Sequence, residues 1–359
     1  MSFFKEKNVE NRIRLVFDID DTICNNKNRD YENAIPIKPV IKKINKLYDD
    51  GAEITLYTSR GMVSCNGNIN KIIKKNKAIL EKWLDKNKVK YHKLIFGKPL
   101  GDMYVDDKCM NVRDFIKQDF KLLNGKSGYP VMRLGNIVKK EMTEENYQKV
   151  SDWYKDSKGI VNNPTLISNL YSTIYMEYID GQTANEILNK GLLNKIIEQV
   201  ERIKGKKLRK FDRQVIYSKL DSHKSKDKEW NKTIDYCKEL IAEIDFEPTL
   251  SHGDYTLGNT IVKDNEIYLV DSLYDKRASC YLLDFAKLRM SLDNYEYRFV
   301  HGKKIDPRYK KQLDRYLKDK GILREVKILE FMYAIRLYNY NKDKAKVKRF
   351  AEERRKEID

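Results

Sequence analysis

Along the first third of the chain, apolar positions switch between the period of a strand and that of a helix. Residues 15–17, Leu-Val-Phe, form a short apolar run that ends in an acidic cluster, the pattern of a buried parallel strand. Between residues 39 and 48, Val40, Ile41, Ile44 and Leu47 follow helical spacing, and Gly51 stands where a C-cap belongs. Residues 54–57 read as the next strand, 72–84 as a long amphipathic helix, and 94–96 and 103–105 as further strands. This alternation predicts an α/β, doubly wound, Rossmann-like sheet whose chemistry sits at the carboxyl ends of its strands.

The pattern changes after about residue 115. Residues 119–142 read as short β-segments broken by Gly125, Gly128 and Gly135, followed by a helix over 144–154. Residues 173–179 form a strand that turns at Asp180-Gly181, and Lys-rich helices run on to about residue 244. A β-segment over 259–271 carries the hairpin signal Asp264-Asn265, after which the chain is helical to its end. A small mixed β lobe and a larger helical lobe make a second domain of another type, so the expected domains are residues 1–118 and 119–359. Neither an internal repeat nor a low-complexity linker separates them.

Composition sharpens this picture. At 359 residues, roughly 150 per domain predicts two or three domains. A hydrophobic content of 41% excludes a wholly disordered chain. The balance of 72 Lys+Arg against 54 Asp+Glu is +18, which suits anionic partners. The basic residues are spread along the chain, however, so most of them are expected to solvate helix faces. The first 14 residues are charged and lack the apolar stretch of a signal peptide, and no run approaches the ~18 apolar residues that cross a bilayer. The expectation is a cytoplasmic protein without membrane insertion. Five scattered cysteines without CxxC spacing indicate neither a disulfide framework nor a zinc site.

The first strand runs into Asp18-Ile19-Asp20-Asp21-Thr22. Carboxylates crowded at one strand tip repel each other, which is tolerable when they bind a cation or do acid–base work. Thr58 ends the second strand, Lys98 follows the third, and Asp106-Asp107 end the fourth. A nucleophilic carboxylate, a second two residues on, a hydroxyl, a lysine and a distal acidic pair are what aspartyl-phosphate chemistry at Mg²⁺ requires. In this order the motifs resemble those of the haloacid dehalogenase superfamily phosphatases. Tyr57-Thr58-Ser59-Arg60-Gly61-Met62, Phe96-Gly97-Lys98-Pro99 and Tyr104-Val105-Asp106-Asp107 are similar to small phosphatases of capsule and surface-polysaccharide synthesis. The resemblance implies Asp18 as nucleophile and Asp20 as general acid/base. It implies Thr58 and Lys98 as phosphoryl ligands, and Asp18 and Asp106 as Mg²⁺ ligands with Asp107 beside them. Between Asp21 and Thr58 there is no room for a large inserted cap.

The run Ser251-His252-Gly253-Asp254-Tyr255-Thr256-Leu257-Gly258-Asn259 precedes a hairpin that ends at Val270-Asp271. An Asp and an Asn five apart, with a second Asp a hairpin later, is a layout for phosphoryl transfer: the first Asp takes the acceptor proton, and the other two hold Mg²⁺. HGDxxxxN with Asp271 resembles the aminoglycoside phosphotransferase and choline kinase family, which implies a bilobal, protein-kinase-like α+β domain using ATP. Carried over, Asp254 is the catalytic base, Asn259 and Asp271 are metal ligands, and His252 supports the loop. Lys139 is the expected nucleotide-phosphate lysine, with Lys140 its rival because one residue of register flips the face. Glu144 or Glu145 is its helix partner, and Glu177 and Tyr178 lie in the segment that resembles the adenine-contacting hinge.

Other features carry less. Gly125-Lys126-Ser127 lacks the first glycine of a Walker A loop, since Phe120 stands there. His92, His223 and His301 have no mutual ligand spacing. Asp284 reads as a structural acid, and the Lys/Arg-rich tail over 342–356, interleaved with Glu, as a solvated helix face. Together these readings predict a bifunctional Mg²⁺-dependent phosphatase and ATP-dependent kinase. Its partner would be a small-molecule sugar, polyol or amino-alcohol substrate in surface-carbohydrate precursor synthesis. A nucleic-acid end-healing enzyme has the charge in its favour, and the missing Walker A loop and nucleic-acid module against it. A choline- or aminoglycoside-type kinase with an accessory phosphatase is the other alternative. A non-catalytic scaffold would have no need of both sets of motifs.

Overall fold

The computed structural model describes residues 12–25, 30–99, 109–117, 119–123, 131–170, 173–299 and 303–358. They belong to two compact units, Met1–Glu141 with Thr173–Tyr178, and Met142–Ser172 with Ile179–Asp359.

In the first unit, β1 (Arg14–Phe17), α1 (Lys38–Asp49), β2 (Glu53–Thr58), α2 (Ile69–Lys86) and β3 (Lys93–Phe96) alternate as the sequence predicts. The strands are parallel in the order β1–β2–β3, with Phe17 beside Leu56 and Thr58 beside Phe96. Helix α1 buries Val40, Ile41, Ile44 and Leu47, the stripe that a 3.6-residue period presents to one side. It is followed by Gly51 at φ +94°, a left-handed position that glycine adopts without strain. Helix α2 is N-capped by the Asn68 side chain, which accepts the Lys71 N–H, and it buries Ile72, Leu80, Trp83 and Leu84.

Residues from both helices share one core with Phe17, Ile54 and Leu56, so α1 and α2 cover the same face of the sheet. On the opposite face Val16 is 64% exposed and Ile95 44% among the described residues. The burial expected of the strand at 15–17 holds on one face only. Alternate side chains of a strand point to opposite faces, and only the Phe17 face meets the core. The strand expected at 103–105 lies outside the described residues.

Antiparallel strands Phe120–Leu123, Val131–Leu134 and Ile137–Glu141 follow, and Thr173–Glu177 pairs with the last of them. Met132 packs into the core that holds Phe17 and Phe115. That burial is the physical reason compactness groups these strands with the N-terminal sheet.

The second unit is mostly helical. Helices Tyr281–Leu292 and Leu323–Arg336 are buried almost all round, which places them at the centre of this unit's core. Strands Thr260–Lys263 and Glu266–Leu269 form the hairpin that Asp264-Asn265 signalled; both turn residues have positive φ, as a type I′ turn requires. The C-terminal helix Lys344–Lys356 departs from the solvated face expected of it. It buries Val347, Phe350, Ala351 and Arg354, and Arg354 joins Arg289 on the fully buried Glu330. Charged residues that looked like surface are here an interior ion network. No helix among the described residues is long and apolar enough to cross a membrane.

Candidate active sites

Parallel strands bring their carboxyl ends to one edge, so residues far apart in sequence meet there. Asp18 directly follows β1, Thr58 ends β2, and Lys98 lies two residues beyond β3. The turn after β3 is tight: the N–H groups of Gly97 and Lys98 both donate to the Thr58 carbonyl, at 3.2 and 3.1 Å. Gly97 has φ +96°, and a Cβ there would meet Ile69 Cδ1 at 2.6 Å, so only glycine suits the position. The turn returns Lys98 to the acidic cluster, with Nζ 3.2 Å from Asp18 Oδ1. Burial raises the pKa of Asp18 against the opposing pull of the Lys98 ammonium.

Asp20 is gripped by Arg60, which the sequence reading quoted but gave no role. Its Nε donates to both carboxylate oxygens at 3.1 and 3.0 Å, and Nη2 donates to Oδ1 at 2.8 Å. Arg60 is 2% exposed, reaches Cys24 Sγ at 3.4 Å and lies over the Tyr31 ring at 4.4 Å. Its backbone N–H donates to Thr58 Oγ1 at 3.1 Å, which leaves the hydroxyl proton to donate elsewhere. Arg60 escaped the sequence reading because a lone Arg two residues past a strand carries no sign of being buried. Cys24 is no reactive thiol, since burial pushes its pKa up to about 11. Asp106 and Asp107 lie outside the described residues.

In the second unit the loop over 251–259 is held from beneath. Asp284, fully buried on Tyr281–Leu292, accepts the backbone N–H groups of His252 at 2.7 Å and Gly253 at 2.9 Å. Burial pushes its pKa up to about 7 even so. The structural role expected of Asp284 is therefore given a geometry. Gly253 sits at φ +78°, where a Cβ would lie 2.7 Å from the Leu273 carbonyl oxygen. Asp254 is approached at both oxygens: Asn259 Nδ2 donates to Oδ2 at 2.9 Å, and Lys287 Nζ stands 2.9 Å from Oδ1. Burial works to raise the Asp254 pKa, but the Lys287 ammonium and the Asn259 amide hold it below the ordinary carboxylate value. Lys287 was missed in the sequence. Its signal is three-residue spacing from Asp284 in an otherwise apolar helix, which puts both side chains on one helix face.

Asn259 turns its amide nitrogen to Asp254, which leaves its carbonyl oxygen as an acceptor; that oxygen and a carboxylate such as Asp271's are donors of the type a hard cation takes. Asp271 has φ +59°, uncommon for a non-glycine residue and enriched at functional sites. Among the described residues, no group of three His, Cys, Asp or Glu side chains is placed to hold a metal by itself.

The residues expected around the nucleotide are placed as follows. Lys139 pairs with Glu141 of its own strand, while Glu145 pairs with Lys149 one helical turn away at 2.7 Å. Tyr178 donates its N–H to the Asn136 carbonyl at 2.7 Å and lies under the Arg133 guanidinium at 3.7 Å. Tyr178 is also where the chain leaves the first unit. Glu177 stands opposite Ile137 in the strand pair. Gly125, Gly128 and His301 lie outside the described residues.

His252 supports the loop through its backbone. The fully buried ring packs edge-on to Trp153 at 5.1 Å, and neither ring nitrogen has a hydrogen-bond partner. Burial lowers its pKa to about 4 from an ordinary 6.5. The unfolded chain protonates this ring near 6.5 and the folded chain only near 4, so its contribution to stability is intact above 6.5 and lost as pH falls through that window. Denaturant unfolding of the second unit is expected to weaken by up to ~3 kcal/mol between pH 7 and pH 4 from this group. In His252→Phe that share of the slope should vanish; an unchanged slope would assign it to other groups.

No protein-family model matches the chain, and no curated protein matches it in sequence. Solved structures do. LicA in complex with AMP is 12% identical over 67% of this chain and 94% of its own, with a TM-score of 0.50. The amicoumacin kinase hAmiN, in complex with AMP-PNP, Ca²⁺ and its antibiotic, is 13% identical over 66% of this chain and 88% of its own, also at 0.50. A structural-genomics target from Vibrio cholerae is 31% identical over 30% of this chain and 89% of its own, with a TM-score of 0.29. At the identities of the first two, the likeness is one of fold. About two thirds of the chain has a kinase-like fold.

Proposed function

We propose that the chain is a bifunctional enzyme, an ATP-dependent small-molecule kinase and a Mg²⁺-dependent phosphatase in two catalytic domains, 119–359 and 1–118. The observation that carries the kinase reading is the Asp254 carboxylate held between Lys287 and Asn259 within a kinase-like fold. Asp254 accepts the proton of the acceptor hydroxyl, whose oxygen forms a bond to the γ-phosphorus as the bond to the β-phosphate oxygen breaks and ADP leaves. Asn259 and Asp271 hold Mg²⁺, which when bound neutralises charge on the phosphates. Lys139 is the nucleotide-phosphate lysine of this reading, and Glu177 and Tyr178 form its adenine edge.

The phosphatase reading rests on Asp18, Lys98, Thr58 and the Asp20–Arg60 pair gathered at one sheet edge. Asp18 attacks the phosphoryl group and Asp20 hands a proton to the leaving alcohol. Water then hydrolyses the aspartyl phosphate while Thr58 and Lys98 hold its oxygens. Kinase and phosphatase acting on one hydroxyl would only consume ATP, so the two activities are assigned to different positions of a sugar or polyol phosphate. That product would be ready for nucleotidyl transfer in surface-polysaccharide precursor synthesis, and the work is placed in the cytoplasm.

Incubation with ATP, Mg²⁺ and candidate phosphosugars tests this, with phosphorus NMR to locate each phosphate. Gain at one carbon and loss at another is the expected outcome. Gain and loss at the same carbon would sink the pathway reading.

A further inference from the structure

Two cations of the second unit lie against a single aromatic ring, and one of them also pairs with Asp254. Lys287 Nζ lies 4.4 Å from the centre of the Tyr333 ring, and the Arg336 guanidinium carbon lies 5.4 Å from it. Lys287 is also the group 2.9 Å from Asp254 Oδ1. Asn259 engages the other oxygen, Oδ2. Lys287 therefore meets the carboxylate at the oxygen that Asn259 does not engage, and Arg336 shares with Lys287 the Tyr333 ring.

Arg336 differs from the two most deeply buried arginines of this unit. Arg289 pairs with Glu330, Asp314 and Glu357, and Arg354 pairs with Asp293, Glu330 and Glu357. Arg336 is half-buried, and among the described residues it has no ion-pair partner. Lys219, 3.4 Å from Asp275, is a third cation in the neighbourhood: burial first and Arg336 next lower its pKa. A guanidinium left partly desolvated and without a carboxylate is well suited to a planar anionic group, which it binds through two parallel hydrogen bonds. An ammonium-bearing acceptor would instead meet like charge at the point where its hydroxyl must approach the base.

Resting on the kinase reading of Asp254, we infer that the acceptor carries an anionic group, a phosphate or a carboxylate, and that Arg336 with Lys287 recognises it. The anion sits against Arg336 and leaves the neighbouring hydroxyl at Asp254. Amino-alcohol and aminoglycoside acceptors are excluded by the same charges. Arg336 is here a specificity residue, and its replacement acts on acceptor binding and not on nucleotide binding.

The test uses the full-length Asp18→Asn protein, so that added phosphate is not removed again. ATP·Mg²⁺ is offered with a panel in which each sugar or polyol is present neutral, as its phosphate, as its acid and as its amine. An anionic form should have the highest kcat/KM, and Arg336→Gln should raise its KM by about 10- to 100-fold, the scale of a charge-assisted hydrogen bond, with KM for ATP unchanged. Arg336→Lys should recover part of the loss, and the preferred member, phosphate or acid, names the anion. Preference for a neutral or amine form, transfer to no anionic member, or an unchanged KM in Arg336→Gln overturns the assignment. Absence of ATP·Mg²⁺ binding by calorimetry would overturn the kinase reading instead.

Discussion

On the proposed function, Asp254→Asn is expected to lower ATP-dependent phosphorylation by about 10²-fold or more, the usual scale for removing a positioned base, and to leave phosphate release unchanged. The substitution keeps the shape of the side chain and removes its capacity to accept a proton. Asn259 and Asp271 remain, so ATP·Mg²⁺ should still bind, and the loss should appear in kcat with little change in KM for ATP. Lys287, 12% exposed at its side chain, loses its carboxylate partner in the same variant. A changed hold on an anionic acceptor is the secondary effect to look for. Because Lys287 and Asn259 hold the Asp254 pKa below its ordinary 3.8, the base is ionised throughout the neutral range. No acid limb from this group should therefore appear in the kinase rate profile above about pH 4. A limb between pH 5 and 7 that disappears in Asp254→Asn would contradict this assignment.

Asp18→Asn is expected to reduce phosphate release by a similar factor or more, because the phosphoryl-enzyme can no longer form. Kinase activity should persist, since Asp18 and Asp254 belong to different compact units. In the wild type the Lys98 ammonium lies 3.2 Å from Asp18 and opposes the effect of burial on its carboxyl. With that negative charge gone, Lys98 is left to bind phosphate, and inorganic phosphate should inhibit the variant's residual activity more strongly than that of the wild type. Acid-quenched labelling separates the steps: the wild type should trap phosphate on Asp18 and the variant should not. Chelation of Mg²⁺ should silence both activities. If Asp18→Asn impairs the kinase as deeply as the phosphatase, with circular dichroism unchanged, the two-site account is wrong and a shared site must replace it.

Much of this was legible without coordinates, for reasons that can be assigned residue by residue. Helical spacing at Val40, Ile41, Ile44 and Leu47 marked α1, because a 3.6-residue period and burial on one side leave that trace in any sequence. Asp264-Asn265 marked its hairpin because few residues tolerate two successive positive φ values. Asp18, Thr58 and Lys98 were found at strand ends because parallel strands must place their carboxyl ends together.

Tertiary structure decided what local pattern cannot encode. Only packing shows that Met132 joins the N-terminal core, that Val16 stays exposed, and that the basic C-terminal helix buries Arg354 in an ion network. Charge partners follow the same rule: Arg60 on Asp20 and Lys287 on Asp254 bridge 40 and 33 positions of the numbering, and no period connects them. A sequence records which groups can be charged, and the fold alone sets which of them meet away from water. Distance and desolvation determine how strongly charges act on one another, so candidate groups could be read from the chain, and the charges that act on them only from the fold.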